Sequence, residues 1–141
     1  MPTLPLAEAR RRFGAAHIAR LATVRPDGRP HIVPVVFALD GDRISMVVDE
    51  KPKRSSDLQR LRNVRANPEV SVLVDCYDDD WSQLWWVRAD GHARVIEAGP
   101  EHEAATRLLT AKYAQYRTTQ TFATAVIIDV TGWSGWAADE R

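Results

Sequence analysis

Residues 17–49, HIARLATVRPDGRPHIVPVVFALDGDRISMVVD, constrain the fold more than any other stretch of the chain. Apolar and β-branched residues run in short bursts, which is the habit of strands rather than helices. Two turn signals cut the run into three. In RPDGR, Pro26 is preset for a turn and Gly28 is free to take positive φ; LDGDR at 39–43 repeats the logic. Pro34 falls inside the second burst and has no amide to donate. It belongs on a sheet edge, at a bulge, or where the backbone faces something other than a strand.

The remainder extends the pattern. VSVLVDCYD, LWWVRADGHARVIEA and ATAVIIDVTGWSGWA read as three further strands, with a bend or bulge expected at Asp90-Gly91. A short helix is expected over about 5–15, where Leu6, Ala9 and Phe13 have helical spacing. A second helix holds Leu58, Leu61 and Val64 on one face and arginines around the other, and stops at Asn67-Pro68. A third opens at Pro100, with Glu101 and Glu103 at its positive dipole end. Six strands in sequential hairpins with peripheral helices predict a mainly β protein, a small antiparallel barrel that manages its edges by closing. At 141 residues, without repeat, linker or low-complexity segment, the chain is expected to be one domain over 1–141.

Composition narrows the function. Lys plus Arg and Asp plus Glu both number 19, so the net charge is zero, which argues against nucleic-acid binding. No apolar run reaches 18 residues and the first residues lack a signal-peptide core, so neither membrane insertion nor export is expected. A single cysteine, Cys76, excludes an internal disulfide and fits a reducing cytoplasm. His17, His31, His92 and His102 lack metal-ligand spacing, Asp78–Asp80 reads as a solvated acidic loop, and no serine sits in a nucleophile elbow. No metal site is expected. If the chain is an enzyme, a cofactor carries the chemistry.

One segment stands out against the neutral background. Between positions 51 and 67, Lys51, Lys53, Arg54, Arg60, Arg62 and Arg65 face only Asp57, a local balance of +5. Arg60, Arg62 and Arg65 are consistent with a solvated helix face. Lys51, Lys53 and Arg54 lie where a strand passes into a helix, and there free backbone amides and the helix dipole favour an anion. A phosphate held at that junction would sit beside any ring lying across PHIVPVVF.

In order along the chain, ARLATVRPDGRPHIVPVVF, a strand ending in KPKR, RNVRANPEVSVLVD and WWVRADGHARV resemble the split β-barrel flavin and deazaflavin proteins over about 13–115. That group includes pyridoxamine 5′-phosphate oxidase and the mycobacterial deazaflavin-dependent reductases. The likeness is strongest to the actinobacterial branch of probable coenzyme F420-dependent enzymes. It implies a six-stranded antiparallel FMN-binding split barrel, a homodimer with cofactor sites in the interface grooves, and a small organic electrophile as substrate. It further implies that His31, Ile32, Val33 and Pro34 run along a tricyclic ring and that Val47, Val48 and Asp49 line the ring and its ribityl chain. By the same resemblance Lys53 takes the phosphate, flanked by Lys51 and Arg54, while Trp85 and Trp86 belong to the strand lent by the partner subunit.

Two departures bear on those expectations. The segment between Lys53 and RNVRANP is longer than in relatives, so Arg54 or Arg60 would replace or supplement phosphate ligands. Asp49 and Glu50 stand where relatives have small residues or Thr, and acid beside a phosphate is unfavourable unless it points away or pairs with a lysine. The expected activity is hydride transfer by coenzyme F420. The alternatives are an FMN-dependent oxidoreductase and a cofactor carrier without turnover.

Overall fold

The computed structural model describes residues 3–49, 55–118 and 122–139. Helix α1 (Leu6–Ala15) leads into strands β1 (Ala19–Val24), β2 (Pro30–Val35), β3 (Ala38–Asp40) and β4 (Arg43–Asp49). Helix α2 (Ser55–Ala66) follows, then β5 (Glu69–Cys76), β6 (Trp85–Ile96), α3 (Pro100–Lys112) and β7 (Phe122–Ala137). Short 3-10 turns cover Trp81–Gln83 and Ala114–Thr118. Gly28 takes φ 89° in the β1–β2 turn, as the RPDGR signal requires. Among the described residues no helix is long and apolar enough to cross a membrane.

All seven strands form one antiparallel sheet in the order β2-β1-β5-β6-β7-β4-β3. The seventh strand comes from residues 30–40, where one strand was expected. After Val35 the backbone leaves its line, because the Tyr113 hydroxyl accepts from the Phe37 amide (3.2 Å) and hydrogen-bonds the Phe37 carbonyl (3.0 Å). A side chain 76 positions away thus breaks the strand in two.

The sheet curls, but its two ends do not pair, and β2 is the outer strand at one end. At the other end β3 covers only Arg43–Ser45 of β4, so among the described residues Met46–Asp49 have β7 on one side and no strand on the other. Pro34, paired with Arg20 of β1, stands on the exposed rim of β2, where a missing amide costs no ladder bond. The barrel is split along a seam between β2 and β4.

The core lies in two layers. Inside the curl, Leu21, Ile44, Met46, Val72, Val74, Val87 and Ile128 pack with Phe13 of α1 and Phe37. Outside it, Ala105 and Leu109 of α3 and Tyr113 just after it press onto Val47, Ala125 and Ile127. Strand alternation explains the division, since Met46 and Val48 face inward while Val47 faces α3. The expected irregularity at Asp90-Gly91 is present as a register shift against β7, with Thr131 as the extra residue. Gly91 is required there by contact: a Cβ would lie 2.4 Å from the Asp129 carbonyl oxygen.

Candidate functional site: the barrel seam

Where β2 and β4 face each other without pairing, a groove of about 200 Å³ opens. Pro34, Val35 and Val36 form one wall, Met46, Val47 and Val48 the other, with Val126 and Tyr116 closing it and Arg60 entering from α2. The groove therefore combines an apolar floor, two strand rims without strand partners and a guanidinium. Backbone amides and carbonyls on such rims hydrogen-bond whatever lies between them, because a buried backbone group left unpaired is costly. A flat, mostly apolar molecule with polar edges and an anionic end satisfies all three features.

Helix α2 delivers Arg60 through a buried anchor. Leu61 and Val64 pack into the barrel core, and Asn63 between them is 0% exposed. The Asn63 amide nitrogen donates to Thr23 Oγ1 (3.0 Å), and its oxygen accepts from Gln59 (2.7 Å). This fixes the rotation of the helix. Arg60 then faces the seam, while Arg62 bonds Gln59 (2.6 Å) and Arg65 reaches Glu97 (3.4 Å) on the exposed face. Of the three helical arginines, only Arg60 joins the groove; the other two form the solvated face.

His31 lies on β2, three residues before Pro34. Its Nδ1 is buried, with no hydrogen-bond partner among the described residues. Burial, then the nearby charges of Arg25 and Arg60, hold its pKa below the ordinary histidine value. The base is thereby biased to the neutral form, and an anion beside Arg60 would offset the arginine's part of that bias.

The other residues singled out from sequence divide by location. Ile32 is 64% exposed on the face away from the core, whereas Val33 packs against the barrel interior. Asp49 ends β4 opposite Phe122, just past a register shift at Val48. Lys51, Lys53 and Arg54 lie outside the described residues. Among the described residues, Trp85 and Trp86 do not line the groove that holds Pro34, Val47 and Val48; they pair with Ala137 and Trp136 at the far end of β7 from Ala125, the partner of Val47. As strand geometry requires, they face opposite ways. Trp85 lies under Arg12 (5.5 Å) beside a cavity of about 1010 Å³. Trp86 lies under Arg88 (5.6 Å) in a cleft of about 420 Å³ shared with Trp136.

One element of the region is absent from the sequence reading. Val36 and Tyr116 are also the wall of a second cavity, about 570 Å³, lined further by His17, Lys112, Tyr113 and Gln115. Lys112 Nζ sits 3.9 Å from the Phe37 ring centroid and donates to the Gly14 carbonyl (3.2 Å). Burial pushes its pKa down to about 8. The one available signal is compositional: the chain has three lysines, and Lys112 is the one outside the basic turn.

A curled antiparallel sheet with an open seam and helices packed outside it defines the split-barrel class. The chain belongs to the pyridoxamine 5′-phosphate oxidase family, whose model matches residues 6–137. A conserved hypothetical protein from Mycobacterium tuberculosis has the same fold, with a TM-score of 0.78 at 20% identity over 97% of this chain and 87% of that one. So does an FAD-binding protein from Mesorhizobium loti, with a TM-score of 0.72 at 21% identity over 94% of each chain. In sequence, 56 residues are 39% identical to the 5a,11a-dehydrotetracycline/5a,11a-dehydrooxytetracycline reductase of Streptomyces rimosus, which is 40% of this chain and 38% of that enzyme. The matched region thus spans well under half of that relative.

Proposed function

We propose that the chain is a coenzyme F420-dependent reductase that binds its deazaflavin in the seam between β2 and β4 and reduces a small organic electrophile. The observation that carries this reading is the seam itself: two strand rims without strand partners around an apolar floor, with Pro34 on one rim and Arg60 at the side. Family membership and the partial likeness to a Streptomyces reductase support a redox role. Bound there, the deazaflavin would supply a hydride from its C5.

The chain's own contribution is placement. Val47 and Val48 with Val35 and Val36 exclude water from one face of the ring, and the rims of β2 and β4 hydrogen-bond its edges. Arg60 receives anionic groups of the tail, joined in this reading by Lys51, Lys53 and Arg54 of the basic turn. A homodimer completes the site. Trp85 and Trp86 lie away from the groove of their own chain, so they can enclose a ring only in a partner's groove.

The FAD-binding structural neighbour from Mesorhizobium loti favours a second reading, a flavin-dependent oxidoreductase using the same seam, with FMN as the flavin that the family resemblance implies. The absorption spectrum of protein purified from a host that makes both cofactors separates them. A bound deazaflavin chromophore supports the proposal, a flavin spectrum supports the second reading, and colourless protein that takes up neither cofactor refutes both.

A further inference from the structure

We propose that the cavity around Lys112 is a binding site for a small planar aromatic anion, with the Lys112 ammonium as its counter-ion. Three observations carry this. The cavity, at about 570 Å³, has the size of a small-molecule site. Its walls are aromatic, with Tyr113 edge-on to both His17 (5.9 Å) and Tyr116 (6.1 Å). Such a rim accepts a flat ring by offset or edge contacts. The third is electrostatic. Among the described residues Lys112 has no carboxylate partner; its neighbours are the Gly14 carbonyl and the faces of Phe37 and Tyr113.

The contrast with the rest of the molecule is informative. Arg10, Arg11, Arg12, Arg43, Arg88 and Arg94 all lie within 4 Å of a carboxylate. Lys112, half-buried on the wall of a cavity, is compensated by a carbonyl and two ring faces but, among the described residues, by no opposite charge. The titratable groups around it are His17 from the α1–β1 connection and Tyr113 and Tyr116 after α3; none is an acid that could serve as counter-ion at neutral pH.

The lowered pKa of Lys112, about 8, then has a consequence. A bound anion favours the ammonium form, so anion binding and proton binding at Lys112 are reciprocal. Anion affinity should hold below pH 8 and fall about tenfold per pH unit above it. Near pH 8, binding should take up a proton. Because Val36 and Tyr116 wall both cavities, an anion held here would lie next to the seam groove. Its service as the acceptor's subsite rests on the proposed reductase reading, whereas the site itself does not.

Calorimetric titration with salicylate, in two buffers of different ionisation enthalpy between pH 6.5 and 9.5 and without cofactor, tests it. Salicylate should bind, salicylamide should bind about 10- to 100-fold more weakly when the two are compared at pH 6.5–7, where the amide is uncharged, and proton uptake with salicylate should appear near pH 8. Lys112→Met should lose the preference for salicylate. Lys112→Arg should keep it at pH 7 but lose both the proton uptake and the alkaline decline, because arginine stays charged. His17→Gln should leave the alkaline decline in place. Absence of salicylate binding to folded wild type, equal binding of salicylate and salicylamide, or unchanged affinity in folded Lys112→Met would overturn the proposal. The experiment contains no flavin or deazaflavin, so failure of the cofactor reading leaves its result standing.

Discussion

Replacing Asn63 by Ala tests how the fold orients its basic helix. Asn63 is fully buried between Leu61 and Val64, and its amide joins β1 to α2 through Thr23 Oγ1 (3.0 Å) and Gln59 (2.7 Å). Each hydrogen bond is worth about 1 kcal/mol net, and the Thr23 hydroxyl, 2% exposed, would be left without this donor at a cost of about 1–2 kcal/mol. The variant should therefore lose about 3 kcal/mol, which lowers the urea midpoint by more than about 1 M for a domain of this size. Thr23→Val alone removes the other end of the same bond. If the bond matters as described, the double variant Thr23→Val, Asn63→Ala is destabilised by at least about 1 kcal/mol less than the two single losses added together. Denaturant titrations of wild type, both single variants and the double variant complete the cycle. Strict additivity, or a loss below about 1 kcal/mol for Asn63→Ala, would refute the anchor and with it the reason given for Arg60 facing the seam.

Two further stability measurements probe the sheet and the second cavity. Gly91→Ala should cost about 2–4 kcal/mol in urea unfolding, because its Cβ meets backbone, the Asp129 carbonyl oxygen at 2.4 Å, which cannot swing aside. Gly132→Ala, with nothing within 4 Å of the added methyl, should stay within about 0.5 kcal/mol of wild type. Lys112 loses its proton near pH 8 when folded and near 10.5 when unfolded, so between those values the unfolded chain holds more protons and stability rises with pH. The gain should be on the order of 1–2 kcal/mol between pH 7.5 and 9.5, discounted because the amine is partly exposed. It should be absent in Lys112→Met, and a wild-type stability curve parallel to that of the variant would contradict it.

What the sequence disclosed and what it withheld separate by the range of the interaction responsible. The β1–β2 turn follows from Gly28 and its neighbours, and the rim position of Pro34 from its missing amide; both are local. The opposite facing of Trp85 and Trp86 follows from strand periodicity alone. The break after Val35 depends on Tyr113, far along the chain, so residues 30–40 read as one strand. Asn63 is polar and sits among arginines, so nothing local marks it as buried; its partner, Thr23, lies 40 positions away. Lys112 had no local signal because its surroundings, Gly14 and Phe37, come from other parts of the chain. Arg60 was set apart from Arg62 and Arg65 in the sequence only through the family resemblance; the rotation of α2 gives the physical reason.

The seam as cofactor site is tested most directly by fluorescence titration of wild type and Arg60→Glu with coenzyme F420 and with FMN, at low and at physiological salt. Arg60 lines the groove from a helix anchored elsewhere, so its reversal should spare the urea midpoint. Wild type should bind the deazaflavin more tightly as its glutamate tail lengthens and more weakly as salt rises, since screening acts over about 8 Å at physiological ionic strength. Arg60→Glu should weaken deazaflavin binding at least about tenfold, the scale of one lost charged contact, and leave FMN nearly unchanged. Unaltered deazaflavin affinity in a folded Arg60→Glu variant, or no binding of either cofactor by wild type, would contradict the assignment of the seam.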